Sequence, residues 1–70
     1  MKYVGIKQVL KAVKDGDATK VYIGEDAEQH VVAELIETCE ENQIEVIKIE
    51  TMAELGRMAG IDIGASAAAD

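Results

Sequence analysis

Residues 4–16, with the sequence VGIKQVLKAVKDG, form the stretch around which the rest of the chain is organised. Apolar residues recur there at the i, i+3, i+4 and i+7 positions, which is the pattern of a helix lying on a hydrophobic core. This apolar stripe consists of Ile6, Val9, Leu10 and Val13. Because Gly16 suits the left-handed position that follows many helices, we expect the helix to end at Asp15-Gly16.

The opposite side of this predicted helix is basic. Lys7, Lys11 and Lys14 recur at i, i+4 and i+7, and at about 100° per residue they form one narrow line, which we call the lysine ridge. Gln8 lies one position off the ridge, and Gly5 stands just before the first turn. A line of lysines is usually only a solvated helix face, so the ridge by itself does not establish a ligand.

Charge is distributed unevenly along the chain. Seven basic and fourteen acidic residues give a formal net charge of −7. Four of the basic residues precede the first acidic one, Asp15, so residues 1–14 carry a charge of +4 and the remainder a charge of −11. A polyanion would therefore be attracted to one end of the molecule and repelled by most of the rest.

The length and composition predict one globular domain spanning residues 1–70. About half of the residues are apolar and none is proline. No apolar run approaches the ~20 residues that cross a bilayer, and the N-terminus has no signal-peptide pattern. One cysteine cannot form an internal disulfide, which suits a reducing compartment. These features predict a cytoplasmic protein that does not bind membranes.

A βαβ unit is predicted in the middle of the chain. Residues Lys20 to Gly24 contain a continuous apolar run, which is typical of a strand buried on both faces. Asp26 as N-cap with Gln29 at N3, a variant of the capping box, would begin the second helix. Ile44 to Ile49 form the next strand. The two strands should therefore be parallel neighbours joined by a right-handed crossover.

A third helix is predicted after this unit. Thr51 and Glu54 form a capping box at its start, and Gly60 stops it. Helices would then cover a small sheet from both faces. The segment from Ile61 to Gly64 is expected to be a loop that is either tucked against the molecule or presented to a partner. The alanine-rich segment from Ala65 to Ala69 would be helical or frayed by propensity alone.

The sequence predicts neither a metal site nor a cofactor site. Cys39 and His30 are the only soft ligands, and their spacing puts them on different faces of the second helix. Cys39 belongs to the apolar stripe of that helix, so packing is the expected role of its thiol. The glycines fit neither a P-loop nor a dinucleotide-binding fingerprint. We therefore expect no catalysis.

Three blocks of the sequence resemble one known family. Residues 5–11 (GIKQVLK), 23–27 (IGEDA) and 55–65 (LGRMAGIDIGA) are similar in order and spacing to motifs of the kink-turn RNA-binding ribosomal proteins. That family includes an archaeal large-subunit protein and its short bacterial paralogues. Each block is weak alone, but together they extend over nearly the whole chain.

The resemblance implies a fold and points to two departures from the family pattern. The family fold is a three-layer α/β/α sandwich around a small mixed β-sheet, in which Ala65 onward begins a last strand. Two threonines of the family motif are Ile6 and Leu10 here, which removes two hydroxyl groups that could contact RNA. Family members usually continue for several apolar residues beyond the position of Asp70.

The resemblance also implies roles for particular residues. Lysine can donate to guanine O6 and N7, and the glutamine amide can pair with base edges, so the implied contacts are chemically reasonable. Gly5 would let RNA approach the backbone. The residues implied to meet the tandem sheared G·A pairs are Lys7, Gln8 and Lys11, and those implied to pack against the flipped-out nucleotide are Ile61, Asp62 and Ile63. From its place farther along the ridge, Lys14 is expected to contact a phosphate or nothing.

We therefore expect a monomeric, non-catalytic protein that recognises and stabilises kink-turn RNA and is ribosomal or resembles ribosomal proteins. The alternative is a small α/β module that binds a protein partner through the loop Ile61–Ile63. A gel shift that compares a kink-turn with a plain duplex discriminates between these two hypotheses.

Overall fold

The structure is a computed structural model that describes all residues from Met1 to Asp70. It contains three helices and four strands. In chain order these are β1 (Tyr3–Val4), α1 (Ile6–Lys14), β2 (Lys20–Gly24), α2 (Gln29–Glu41), β3 (Glu45–Ile49), α3 (Met52–Ala59) and β4 (Ala67–Ala69).

The four strands form one mixed sheet in the order β1-β4-β2-β3. β2 and β3 are parallel, with Val21 opposite Val46, which confirms the predicted βαβ unit. β4 is antiparallel to both of its neighbours, β1 and β2. Because β4 runs opposite to β2, it begins at the same end of the sheet at which β2 and β3 finish.

Alternating residues of the strands divide the core into two layers. Val21 and Ile23 of β2 pack with residues of α1 and α2, such as Val9 and Leu35, on one face. Tyr22 packs with Leu55 of α3 on the other face. The predicted three-layer α/β/α sandwich around a small mixed sheet is thus confirmed.

The central strand β4 consists only of alanines, and all three are fully buried. Ala67 and Ala69 face the layer formed by α1 and α2, whereas Ala68 faces α3. The last strand implied by the family resemblance is therefore confirmed, although it begins at Ala67 and not at Ala65, and the helical tendency of alanine is overridden. Pairing with two neighbours and burial on both faces outweigh a propensity difference of ~1 kcal/mol or less per residue.

The predicted helix ends agree with the structure at three places. Asp15 is the C-cap of α1, and Gly16 follows it with φ 78°. Thr51 caps α3 by accepting a hydrogen bond from the Glu54 N–H at 3.0 Å. Gly60 ends α3 in the left-handed conformation with φ 80°.

The predicted start of α2 is wrong. Glu28, and not Asp26, is the N-cap, and Gln29 is the first helical residue instead of the N3 residue. The segment from Gly24 to Ala27 forms a turn in which the Ala27 N–H donates to the Gly24 carbonyl. Because of this turn the helix begins three residues after Asp26, and the Asp26 carboxylate bonds to a different helix.

None of the helices is long and apolar enough to cross a membrane.

Candidate nucleic-acid interface

Several chain segments that are distant in sequence meet at one end of the sheet, which we call the loop end. Three consecutive residues before and within β4 connect them through backbone hydrogen bonds. The Ala65 N–H donates to the Met52 carbonyl at 3.0 Å, and the Ser66 carbonyl accepts from the Gly24 N–H at 3.0 Å. The Ala67 carbonyl accepts from the Gly5 N–H at 2.9 Å. The start of α1, the end of β2 and the start of α3 therefore surround this stretch.

The N-terminus of α1 is open at the loop end. Gly5 is its N-cap residue with φ 104°, no side chain caps the helix, and the first turn contains no acidic residue. An uncapped helix start presents unpaired N–H groups and a partial positive charge. A Cβ on Gly5 would meet no atom within 4 Å, so the space beside its backbone is free. The backbone here is accessible to an anionic or polar ligand.

The lysine ridge leads away from this open helix start. Lys7, Lys11 and Lys14 are all exposed, whereas Val9 and Val13 are buried, so the predicted two-sided character of α1 is confirmed. At a rise of 1.5 Å per residue, Lys14 lies about 10 Å farther from the loop end than Lys7. Of the predicted contacts on α1, Gly5, Lys7 and Gln8 therefore lie at the loop end, Lys11 lies one turn away and Lys14 two turns away.

Carboxylates pair with two of the three ridge lysines. The Lys11 ammonium contacts the Asp15 carboxylate one turn along the same helix. This hydrogen bond, together with the charge of Asp15, raises the pKa of Lys11 above its ordinary value. The Lys14 ammonium lies 3.9 Å from the Glu34 carboxylate of α2. Lys7 has no acidic group within 4.0 Å, so the least neutralised ammonium of the ridge is the one at the open end of α1.

Gln8 and Lys11 also border a shallow hollow of about 240 Å³ between α1 and the edge strand β1. The other residues that line it are the apolar Tyr3 and Ala12 and the acidic Asp15 and Asp17. The amide of Gln8 therefore lies beside a concave surface at the same side of the molecule as the ridge.

The loop Ile61–Ile63 follows α3 on the other side of the sheet. Ile61 is half-buried against the core of the α3 layer, and its N–H donates to the Gly56 carbonyl at 3.0 Å. Asp62 is exposed, and Ile63 is 74% exposed. The two alternatives expected for this loop each apply to one isoleucine, because Ile61 is tucked in and Ile63 is presented.

Soft ligands form no cluster in the structure. No group of three or more His, Cys, Asp and Glu side chains is arranged to hold a metal ion. Cys39 is fully buried, and desolvation raises the pKa of its thiol above the ordinary value, which keeps it protonated and unreactive. His30 is exposed on the first turn of α2, so the two residues lie on different faces as predicted.

One contact between two residues at the loop end had no signal in the sequence. Asp26 accepts a hydrogen bond from the backbone N–H of Met52, which lies 26 positions later in the chain. No local pattern predicts such a contact, because it depends on how β2 and α3 meet. The pairing of Lys11 with Asp15 could have been found, since their i, i+4 spacing is that of a helical ion pair.

The fold and the loop end together define a small α/β/α protein with a basic, uncapped helix start at one end of its sheet. The chain belongs to the ribosomal protein L7Ae/L30e/S12e/Gadd45 family, whose sequence model matches residues 3–69. This result confirms the resemblance found in the three sequence blocks.

Relatives with known names agree with this membership. The chain is 57% identical over 67 residues to an RNA-binding protein of Caldanaerobacter subterraneus subsp. tengcongensis, a match that covers 96% of this chain and 82% of that protein. It is 35% identical over 66 residues to RNA-binding protein YbxF of Geobacillus stearothermophilus, covering 94% and 80%. It is 39% identical to large ribosomal subunit protein eL8 of Halobacterium salinarum, covering 93% of this chain and 55% of that protein.

Solved structures share the fold. The 15.5kD RNA binding protein of Giardia lamblia superposes with a TM-score of 0.88 at 28% identity, over 94% of this chain. A protein of unknown function from Bacillus halodurans C superposes with a TM-score of 0.82 at 33% identity, over 91% of this chain. The chain spans 56% and 65%, respectively, of these two structures.

Proposed function

We propose that this protein is a non-catalytic RNA-binding protein that recognises kink-turn RNA through its loop end. The observation that carries the proposal is the backbone connection of Gly5 to Ala67, since it joins the uncapped start of α1 to the strand that the loop Ile61–Ile63 enters. A basic helix start and an exposed apolar side chain of the loop are thereby both available to a ligand at the loop end. The names of the relatives, which are RNA-binding and ribosomal proteins, support RNA as the ligand.

The start of α1 supplies the groups for recognising bases and phosphates. Lys7 has an unpaired ammonium that can donate to the O6 and N7 atoms of guanine in sheared G·A pairs. The Gln8 amide both donates and accepts, so it can read a base edge that a cation cannot. Lys11 can contribute one turn away once its ammonium leaves Asp15.

The replacement of the two family threonines by Ile6 and Leu10 is compatible with this proposal. Ile6 and Leu10 are half-buried and pack against the core of the α1 and α2 layer, so they anchor the helix. Recognition therefore depends on the flanking polar side chains, Lys7, Gln8 and Lys11, and not on hydroxyl groups.

The loop supplies an apolar surface for an unstacked nucleotide. Ile63 leaves most of its side chain in water, where an unpaired base could cover it. The same exposure favours a second candidate, a protein partner that docks on the loop Ile61–Ile63. In both cases we expect the protein to act as a monomer without a cofactor, and the bound RNA can be ribosomal or regulatory.

Titration with three RNAs tests the proposal. They are a standard kink-turn, the same RNA with its sheared G·A pairs replaced by Watson–Crick pairs, and a plain duplex of equal length. Equal lengths and strand numbers keep the phosphate charge matched. We expect tight binding to the first RNA and weak binding to the other two. Equal binding to all three would leave only a general affinity for phosphates, and no binding to any would favour the protein partner.

A further inference from the structure

Asp26 precedes α2 in the chain but caps α3. It lies in the turn between β2 and α2, and its Oδ1 accepts a hydrogen bond from the backbone N–H of Met52 at 2.7 Å. Met52 is the first residue of α3. Thr51 caps the same helix locally, through the Glu54 N–H. The Asp26 bond is different in kind, because it ties the start of α3 to the end of β2.

Met52 connects Asp26 to the segment that follows the loop Ile61–Ile63. While its N–H is held by Asp26, its carbonyl accepts from the Ala65 N–H at 3.0 Å. Its side chain also fits between two glycines. A Cβ on Gly24 would lie 2.7 Å from the Met52 Cγ, and a Cβ on Gly64 would lie 3.2 Å from the Met52 Cβ. Met52 is therefore held by close contacts on both sides.

The loop Ile61–Ile63 is fastened to α3 at both of its ends. The Ile61 N–H bonds to the Gly56 carbonyl at 3.0 Å, and the Ala65 N–H bonds to the Met52 carbonyl at the start of the helix. Between these points the loop lies so close to α3 that a Cβ on Gly56 would lie 2.0 Å from the Ile63 carbonyl oxygen. The loop is therefore fastened to α3, and the Asp26 hydrogen bond is one of the contacts that hold the start of α3 against the end of β2.

We propose that Asp26 is a positioning residue for RNA recognition, which acts through Met52 to fix the loop Ile61–Ile63 relative to the start of α1. The proposal rests on the proposed function, since it assumes that this loop meets an unstacked nucleotide. Asp26 itself does not need to contact RNA for this role. Its role is that of a hydrogen-bond acceptor, and its negative charge is not required.

A comparison of three variants on two RNAs tests the role. The RNAs are a kink-turn and the same kink-turn with an abasic loop nucleotide. Asp26→Ala removes the acceptor and should weaken binding to the intact RNA about three- to tenfold, as expected for the loss of a helix cap, with little effect on the abasic RNA. Asp26→Asn keeps an acceptor oxygen and should restore binding to within about twofold. Glu25→Ala is the matched control. It removes the same negative charge from the neighbouring residue, and the Glu25 side chain, unlike that of Asp26, makes no hydrogen bond.

Hydrogen exchange without RNA provides an independent measurement. Asp26→Ala should accelerate exchange of the Ile61 and Ala65 amides, whereas Asp26→Asn should not, and the amides of β2 should remain protected in both. The positioning role is overturned if the abasic RNA loses as much affinity as the intact one, if Glu25→Ala has the effect of Asp26→Ala, or if exchange rises throughout the sheet. If the unmodified protein binds no kink-turn, the proposed function fails, and exchange at Ile61 and Ala65 alone decides whether Asp26 fixes the loop.

Discussion

Neighbouring lysines on one helix face differ in how freely they can act. Lys7 is the ridge lysine without an acidic partner, and it stands at the open start of α1. Lys11 and Lys14 are engaged by Asp15 and Glu34. At the scale of single residues, the positive charge of the ridge is therefore most available at Lys7, at the loop end.

Substitution of the α1 residues should separate base recognition from phosphate attraction. Lys7→Ala and Gln8→Ala should each weaken binding to an intact kink-turn roughly ten- to a hundredfold, as expected for the loss of a base contact. Lys11→Ala should also reduce binding to that RNA only. Lys14→Ala should weaken binding to all RNAs slightly and equally. Titration of each variant against the intact kink-turn and the version with Watson–Crick pairs measures this difference.

All four side chains are exposed, so the melting temperature should hardly change and serves as the control for folding. Equal losses on both RNAs would reduce the ridge to a general basic surface.

Asp15→Asn should strengthen RNA binding. The substitution releases the Lys11 ammonium from its partner and removes one negative charge from beside the lysine ridge. Since exposed ion pairs are weak, we expect a gain of about two- to fivefold in affinity. The same substitution made together with Lys11→Ala should gain less, and a filter-binding assay of the four variants of this double-mutant cycle tests the difference. An equal gain in both backgrounds would mean that Asp15 acts through its charge alone.

At the scale of secondary-structure elements, the loop after α3 combines an anchor with a presented side chain. Ile61 packs on the core of the α3 layer, and Ile63 is 74% exposed. One loop thus contributes to folding through one isoleucine and has the other available for a partner.

Ile61→Ser and Ile63→Ser should therefore have different effects. Ile61→Ser should lower the free energy of unfolding by roughly 1 kcal/mol or more, because it removes partly buried apolar surface. Ile63→Ser should leave thermal unfolding unchanged and weaken kink-turn binding. Melting curves and titrations on the same preparations separate the two outcomes. Normal RNA binding by Ile63→Ser would refute the proposed contact of Ile63 with an unstacked base.

At the scale of the whole molecule, the basic region is small and the remaining surface is acidic. Residues 1–14 carry four positive charges, and all fourteen acidic residues lie beyond them. RNA that lies along α1 therefore experiences attraction on one side and repulsion from the rest of the protein.

This charge distribution should give RNA binding a shallow salt dependence. With about three phosphates neutralised, the slope of log K against log salt concentration should lie near −2 to −3. Affinity for a plain duplex should be poor at every salt concentration. A slope steeper than about −6 would show that groups outside the ridge contact phosphates.

Local patterns predicted most of the fold, and tertiary contacts decided the rest. A few adjacent residues are enough to predict three features: the apolar stripe on α1, the strand Lys20–Gly24 and the end of α3 at Gly60. β4 could not be predicted from its own residues, because alanine favours a helix and only the neighbouring strands make it a strand. The start of α2 was misplaced for a related reason, since the capping residue Asp26 serves α3 instead.

The same distinction applies to the candidate interface. Spacing alone predicted the exposed side of α1 and its three lysines. It did not predict that the start of α1 and the loop after α3 would be joined through Ala67 and Ala65, because that connection exists only in the assembled sheet.

The position of β4 has a consequence for the order in which the protein is made. β1 and α1 emerge first from a ribosome, yet β1 has no strand partner other than β4, which comes last in chain order. Until β4 is inserted between β1 and β2, the start of α1 lacks its bond to Ala67. The ridge lysines are therefore synthesised well before β4, which fixes the start of α1 in the sheet. The candidate interface is therefore complete only when the segments most distant in sequence have met.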